Sequence, residues 1–156
     1  IDLNDLKLLR WHFVGKLQKN KVRRVIKEFD FIHSVDSLPL LERISRISQE
    51  EQKSPNIFLQ VKFREDPNKG GFLKQDLMNN WSKVISLNNI NLIGLMTIPP
   101  IVLNSYQRKD LFCECRNFAN HLGLKDCSMG MSNDWQEAIQ GGATWIRLGS
   151  LLFGKR

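Results

Sequence analysis

Cysteine is scarce in this 156-residue chain, with three in all. An odd number cannot pair completely, and Cys113 and Cys115 stand two apart, where a helix would turn them to different faces. The thiols therefore read as reduced, which points to a cytoplasmic protein and away from a disulfide scaffold. No second Cys/His pair sits at ligand spacing, so no zinc site is expected. Long apolar runs are missing too: none reaches the ~18 residues of a membrane span, and no signal peptide opens the chain. There is no Gly-x-Gly-x-x-Gly dinucleotide loop, no Walker-type Gly-Lys-Ser/Thr and no Gly-x-Ser-x-Gly elbow. No carboxylate pair shares a strand end, and no self-contained nucleophile, base and orienter stand together.

What is present is ordinary globular material, 42% hydrophobic and 25% charged, which excludes wholesale disorder. The length suits one domain with a real core. Lys and Arg number 23 against 16 Asp and Glu, for a net charge of +7. Part of the excess gathers at Lys16, Lys19, Lys21, Arg23, Arg24 and Lys27, with Lys155 and Arg156 adding a basic end. Such a cluster reads as a solvated helix face or as a surface for phosphorylated ligands. No aromatic side chains interleave it for base stacking, so nucleic acid is not the expected partner. The chain opens on Ile1, as a processed or partial chain would.

Periodicity divides the chain into alternating strands and helices. Residues 9–14 read as a strand, followed by a helix carrying Val22, Val25, Ile26 and Phe29. Residues 31–33 make the next strand. Ser34 and Asp36 then offer helix-start oxygens to a helix lined by Leu40, Ile44 and Ile47, with Pro39 in its first turn. Residues 57–63 are the clearest strand, ended by the turn chemistry of 65–71. A helix bearing Leu73, Leu77, Trp81, Val84 and Ile85 leads to a strand at 92–96, stopped by Pro99 and Pro100. The long helix of Leu111, Cys115, Phe118 and Leu122 closes at Gly123. A strand ending at 127–129, a helix opened by Ser132-Asn133-Asp134 and stopped by Gly141-Gly142, and a strand at 144–148 complete the series. About six strands and five helices in alternation require a mostly parallel sheet, either an open doubly wound one or most of a (β/α)8 barrel. A full barrel runs to about 250 residues, more than this chain holds.

Ligands of parallel sheets meet the carboxyl ends of the strands. Two successive loops stand out there, Ser128–Asp134 and Gly149-Ser150. Gly130 permits an unusual turn, Ser132 can cap a helix or give its hydroxyl to an anion, and Gly149 lets a backbone approach. The loops after the last two strands of a barrel commonly form a phosphate pocket. Arg147 shares a strand face with Trp145 and serves either a structural salt bridge or a ligand. His12, Lys16 and Lys69 stand near other strand ends. His33 reads as a brace for the turn at Ser34 and Asp36, and His121 as a favourable cation at a helix C-terminus.

These residues also carry a family resemblance. Trp11-His12-Phe13-Val14-Gly15-Lys16-Leu17-Gln18-Lys19-Asn20-Lys21 resembles the Trp-His-Phe-(Ile/Val)-Gly-x-Leu-Gln-x-Asn-Lys signature of the pyridoxal 5′-phosphate homeostasis proteins, the YggS family. Segments 32–37, 94–99, 128–134 and 146–154 are similar to later motifs of that family, in order along nearly the whole chain. The resemblance implies a (β/α)8 TIM-type barrel of the alanine racemase N-terminal kind, with about six of its eight strand-helix units in residues 1–156. It implies pyridoxal 5′-phosphate at the strand ends, the phosphate on Ser132, Gly149 and Ser150 and the pyridine nitrogen facing Arg147. With Met131, His12 and Lys69, these make the expected cofactor-binding set.

The function so implied is pyridoxal phosphate binding in vitamin B6 and amino-acid homeostasis, as a carrier without classical turnover. The alternative is a pyridoxal-phosphate-dependent enzyme acting on amino acids, racemase-like. Amino acids or pyridoxal-phosphate-dependent apo-enzymes are the expected partners, and a membrane is not. The family's Schiff-base lysine falls on a first strand upstream of Trp11, so by this alignment the first two units, and that lysine, precede the chain. Lys69 is then the amine best placed to condense with an aldehyde, in a Lys-Gly-Gly where the family has Lys-Ser-Gly. Two unclosed sheet edges are expected to favour self-association.

Overall fold

The computed structural model describes residues 9–154, which leaves Lys155 and Arg156 outside the described residues. Its strands are β1 (His12–Phe13), β2 (Phe31–Val35), β3 (Asn56–Lys62), β4 (Phe72–Leu73), β5 (Asn91–Met96), β6 (Asp126–Met131) and β7 (Trp145–Arg147). Its helices are α1 (Val22–Glu28), α2 (Leu38–Glu50), α3 (Lys74–Asn79), α4 (Trp81–Ile85), α5 (Ser105–His121), α6 (Trp135–Gln140) and α7 (Ser150–Phe153), with a 3-10 turn at Lys19–Lys21.

All strand pairs are parallel, and the main path runs β1-β2-β3-β5-β6-β7 with β4 on the side of β3. The path never reverses. A doubly wound sheet turns back at a switch point, whereas a barrel adds each strand on the same side, so the order selects the barrel. The architecture is a partial TIM barrel of the alanine racemase N-terminal kind.

One apolar layer joins strands to helices. Ile32, Ile57, Leu59, Val61, Leu95, Cys127 and Met129 pack with the helix residues Val25, Leu41, Ile44, Leu77, Leu111, Phe112, Cys115 and Ala138. The inner face of the sheet is aromatic instead. His12 stacks on Phe31 with ring centroids 4.2 Å apart, His33 stacks on Phe58 at 4.3 Å, and Trp145 lies 5.2 Å from His12. Each such pair adds roughly 0.5–1.5 kcal/mol beyond burial. The barrel interior is thus packed, and open space begins above this layer.

Several local expectations change. The first strand shortens to two residues, because β1 pairs only with β2 among the described residues. Ser34 and Asp36 do not start α2. The chain stays extended through Val35, paired with Leu59, and Ser34 Oγ donates to Gly15 O at 2.5 Å; Ser37 precedes the helix without a side-chain cap. The single helix expected over 73–85 breaks at Asn80 into α3 and α4. The long helix α5 opens with a full capping box, Asn104 Oδ1 accepting Gln107 N–H and Gln107 Oε1 accepting Asn104 N–H, both at 3.0 Å. It closes, as expected, at Gly123 with φ +72°.

The basic cluster belongs to α1 and its approach. Arg23 pairs with Glu50 and Glu51, Lys27 with Glu51 at 3.2 Å, and Arg24 with Glu28 at 2.8 Å. Half of the cluster therefore ties α1 to the end of α2 or to itself, as a solvated face does. No helix among the described residues is long and apolar enough to cross a membrane.

Candidate functional site

The site grows from the turns after β6 and β7. Gly130, next to last in β6, has φ +92°, a conformation that L side chains avoid, and a Cβ there would stand 2.5 Å from Ala138 Cβ on α6. Asp134 is buried, and its Oδ1 accepts the Met131 N–H at 2.6 Å, which closes the turn. Ser132 is left pointing across to the neighbouring turn, where its Oγ accepts N–H bonds from Gly149 at 3.3 Å and Leu151 at 3.1 Å. The two turns therefore converge on one point. Of the two roles open to Ser132, the cap is not taken: Asp134 precedes α6, and the amides that reach Ser132 belong to Gly149 and Leu151.

Gly149 has an ordinary negative φ of −119°, and an added Cβ would meet nothing within 4 Å. No neighbouring backbone requires a glycine there. Instead, its bare face borders a cavity of about 1050 Å³. Small-molecule sites usually span roughly 300–1,000 Å³. All seven expected residues line this cavity: His12, Lys69, Met131, Ser132, Arg147, Gly149 and Ser150. Lys16, which stood near a strand end, is not among its walls.

Arg147, on β7, donates from Nη1 to Ser128 Oγ at 2.7 Å and from Nη2 to Thr97 O at 3.2 Å. Both acceptors are neutral. Burial lowers its pKa to about 10, against the opposing pull of the Asp134 carboxylate, so the guanidinium stays charged at pH 7. Of the two readings of Arg147, a salt bridge and a ligand contact, the structure shows no carboxylate hydrogen-bonded to it among the described residues.

His33 was expected to brace the turn after β2. It lies inside the barrel instead, because Phe31 and His33, two apart on β2, share the inner face, before an irregularity in the β2–β3 register returns Val35 to the apolar layer beside Leu59. Its Nδ1 is 2.7 Å from Ser128 Oγ, and its Nε2 is 2.9 Å from His12 Nδ1. Burial, with help from His12 and Arg147, pushes the His33 pKa down to about 3. Burial also lowers that of His12, opposed by Asp30. Both imidazoles are neutral at pH 7.

Lys69 reaches the rim from the loop after β3. Its Nζ donates to Pro99 O at 2.6 Å and lies 3.4 Å from Asp66 Oδ2. These contacts anchor the amine, which is a poorer arrangement for condensing with an aldehyde than a free one. The sequence reading missed Arg108, Ile98, Pro99, Pro100 and Ile101, which also line the cavity. Arg108 is held there by Glu137 on α6 and by Leu103 O at 2.8 Å. By local pattern Pro99 and Pro100 marked a strand stop, and nothing local indicates that the segment they start reaches the cavity.

Two features of this chain fit an anionic cofactor such as a phosphate ester. The donor set of Ser132 hydroxyl, Gly149 and Leu151 amides, Arg147 and Lys69 is cationic and rich in N–H and O–H groups. The open face of Gly149 leaves room beside those donors.

Known proteins share this fold over most of the chain. The family described as alanine racemase, N-terminal domain, matches residues 5–156. A pyridoxal phosphate homeostasis protein of Synechocystis sp. is 43% identical over 154 residues, covering 95% of this chain and 71% of its own. One of Pseudomonas aeruginosa is 38% identical over 157 residues, covering 99% and 68%. The solved structure of PipY of Synechococcus elongatus with PLP bound superposes with a TM-score of 0.92 at 43% identity, covering 97% of this chain and 74% of that one. With a family match across nearly all its residues and such relatives on both sequence and structure, the chain belongs to the alanine racemase N-terminal domain family, among the pyridoxal phosphate homeostasis proteins.

Proposed function

We propose that this chain binds pyridoxal 5′-phosphate in the cavity at the strand ends and serves vitamin B6 homeostasis as a carrier. The observation that carries the reading is the convergence of the Gly149 and Leu151 amides on Ser132 Oγ. Donors already aimed at one oxygen can be re-aimed at a phosphate oxygen with little rearrangement. PipY, at 43% identity, is a relative whose structure holds PLP.

In this reading Ser132, Gly149, Ser150 and Leu151 hold the phosphate, and Met131 lies beside them. Arg147 faces the pyridine nitrogen, with Ser128 and Thr97 O fixing its plane. When bound, the cofactor supplies an aldehyde that condenses with amines and a ring that draws electrons from them. A guanidinium opposite the ring nitrogen keeps that nitrogen unprotonated, and the ring is then a weak electron sink. That favours holding the cofactor over turning over amino acids. Lys69 lies on the rim as a cation beside the entry. The three cysteines are free, in keeping with a reducing compartment, and we place the protein in the cytoplasm.

Fluorescence titration with pyridoxal phosphate tests the site. Ser132→Ala removes one hydroxyl from the phosphate and is expected to weaken binding about tenfold, near 1.4 kcal/mol. Parental affinity in that variant, with the fold intact by circular dichroism, rejects the assignment.

A further inference from the structure

Four side chains on four strands or strand ends form one continuous hydrogen-bonded line: Arg147, Ser128, His33 and His12. Only its first member has a fixed polarity. A charged guanidinium donates and never accepts, so Ser128 Oγ must accept from Arg147 Nη1. Ser128 is fully buried, and a buried hydroxyl proton with no acceptor is costly. Among the described residues, the only acceptor within hydrogen-bond distance of Ser128 Oγ is His33 Nδ1, at 2.7 Å. The hydroxyl therefore donates to Nδ1, and that nitrogen carries a lone pair.

The consequence passes along the line. A neutral His33 must then hold its proton on Nε2, which donates to His12 Nδ1 at 2.9 Å. His12 in turn accepts on Nδ1 and keeps its own proton on Nε2. The reverse arrangement, with both protons on Nδ1, would leave the Ser128 proton without a partner. Both imidazoles are neutral, as burial of each requires; Asp30 is the carboxylate acting on His12, and Arg147 the cation acting on His33.

We propose that His12 is a ligand-contacting residue that presents Nε2–H to the cavity and takes an acceptor oxygen, anionic or carbonyl, of the bound molecule. His12 lines the cavity, and its Nε2 has no protein partner among the described residues. Its ring is held flat against Phe31, 5° from parallel, so the N–H has one direction in which to point. The same residue with the opposite tautomer would be a base. The line from Arg147 makes it a donor and adds one more to a cavity already rich in them, which selects ligands with a second acceptor oxygen away from their phosphate.

The tautomers are readable without ligand. In the full chain labelled with ¹⁵N, long-range proton–nitrogen correlation at pH 7 is expected to show His12 and His33 both protonated on Nε2. A proton on Nδ1 of either ring overturns the inference. The ligand contact rests on the pyridoxal phosphate reading, and two variants separate the two ideas. His12→Phe keeps the stack on Phe31 and loses the donor, and is expected to weaken pyridoxal phosphate binding about tenfold. His12→Gln, which can accept from His33 and still donate, is expected to lose less. Parental affinity in His12→Phe rejects the contact. A parent chain that takes up no pyridoxal phosphate rejects the proposed function, while the ligand-free spectra still decide the tautomers.

Discussion

The residues that matter most here are the ones whose partners are far away in the chain. His33 and Ser128 are 95 positions apart, and their contact exists only because β2 and β6 face each other across the barrel interior. No local pattern announces such a pair, and His33 accordingly read as a neighbour of its own turn. Its burial has a thermodynamic signature. The imidazole titrates at about 3 when folded and near 6.5 when free. Below pH 6.5 the unfolded chain therefore takes up a proton that the folded one refuses, and stability falls as the pH drops. The contribution is fully present above pH 6.5 and is lost at about 1.4 kcal/mol per pH unit as the pH falls toward 3. His33→Asn is expected to flatten this slope in denaturant melts between pH 6.5 and 4.5. An unchanged slope would show that His33 is protonated, or exposed, in the folded chain.

Elements were more legible than single residues. The two converging turns could be anticipated because parallel strands in sequential order put every following loop on one end of the sheet. The stripes of α2 and α5 and the turn signals of Gly123 and Gly142 stood in the letters for the same local reason. The break at Asn80 did not, since Leu77, Trp81 and Val84 keep helix spacing across it. Nor did β4, two residues that pair with the end of β3 only because the loop before them folds back. In sequence Gly130 read as a turn glycine and Gly149 as one that lets a backbone approach; the structure keeps the first role and finds no backbone against Gly149. Gly130→Ala drives a Cβ against Ala138 at positive φ and is expected to cost about 1–3 kcal/mol in urea melts. Gly149→Ala meets open space and is expected to stay within about 0.5 kcal/mol of the parent. Equal losses from both would contradict the different roles assigned to the two turns.

At the scale of the molecule, a sheet that never reverses direction, an apolar outer layer and an aromatic inner one leave the open cavity at the strand ends. The interior is filled by His12, Phe31, His33, Phe58 and Trp145, so a ligand rests on top of this layer and meets donors on its way in. The wall from Ile98 to Ile101, after β5, was the least legible part, because it depends on where a loop lies and not on what precedes it. The central claim is that the turns after β6 and β7 grip a phosphate. Its most direct test is a pair of titrations of the parent chain, one with pyridoxal phosphate and one with pyridoxal, which differ only in that group. Pyridoxal phosphate is expected to bind at least about tenfold more tightly, the worth of one or two charge-assisted hydrogen bonds. Equal affinity for the two compounds would contradict the account.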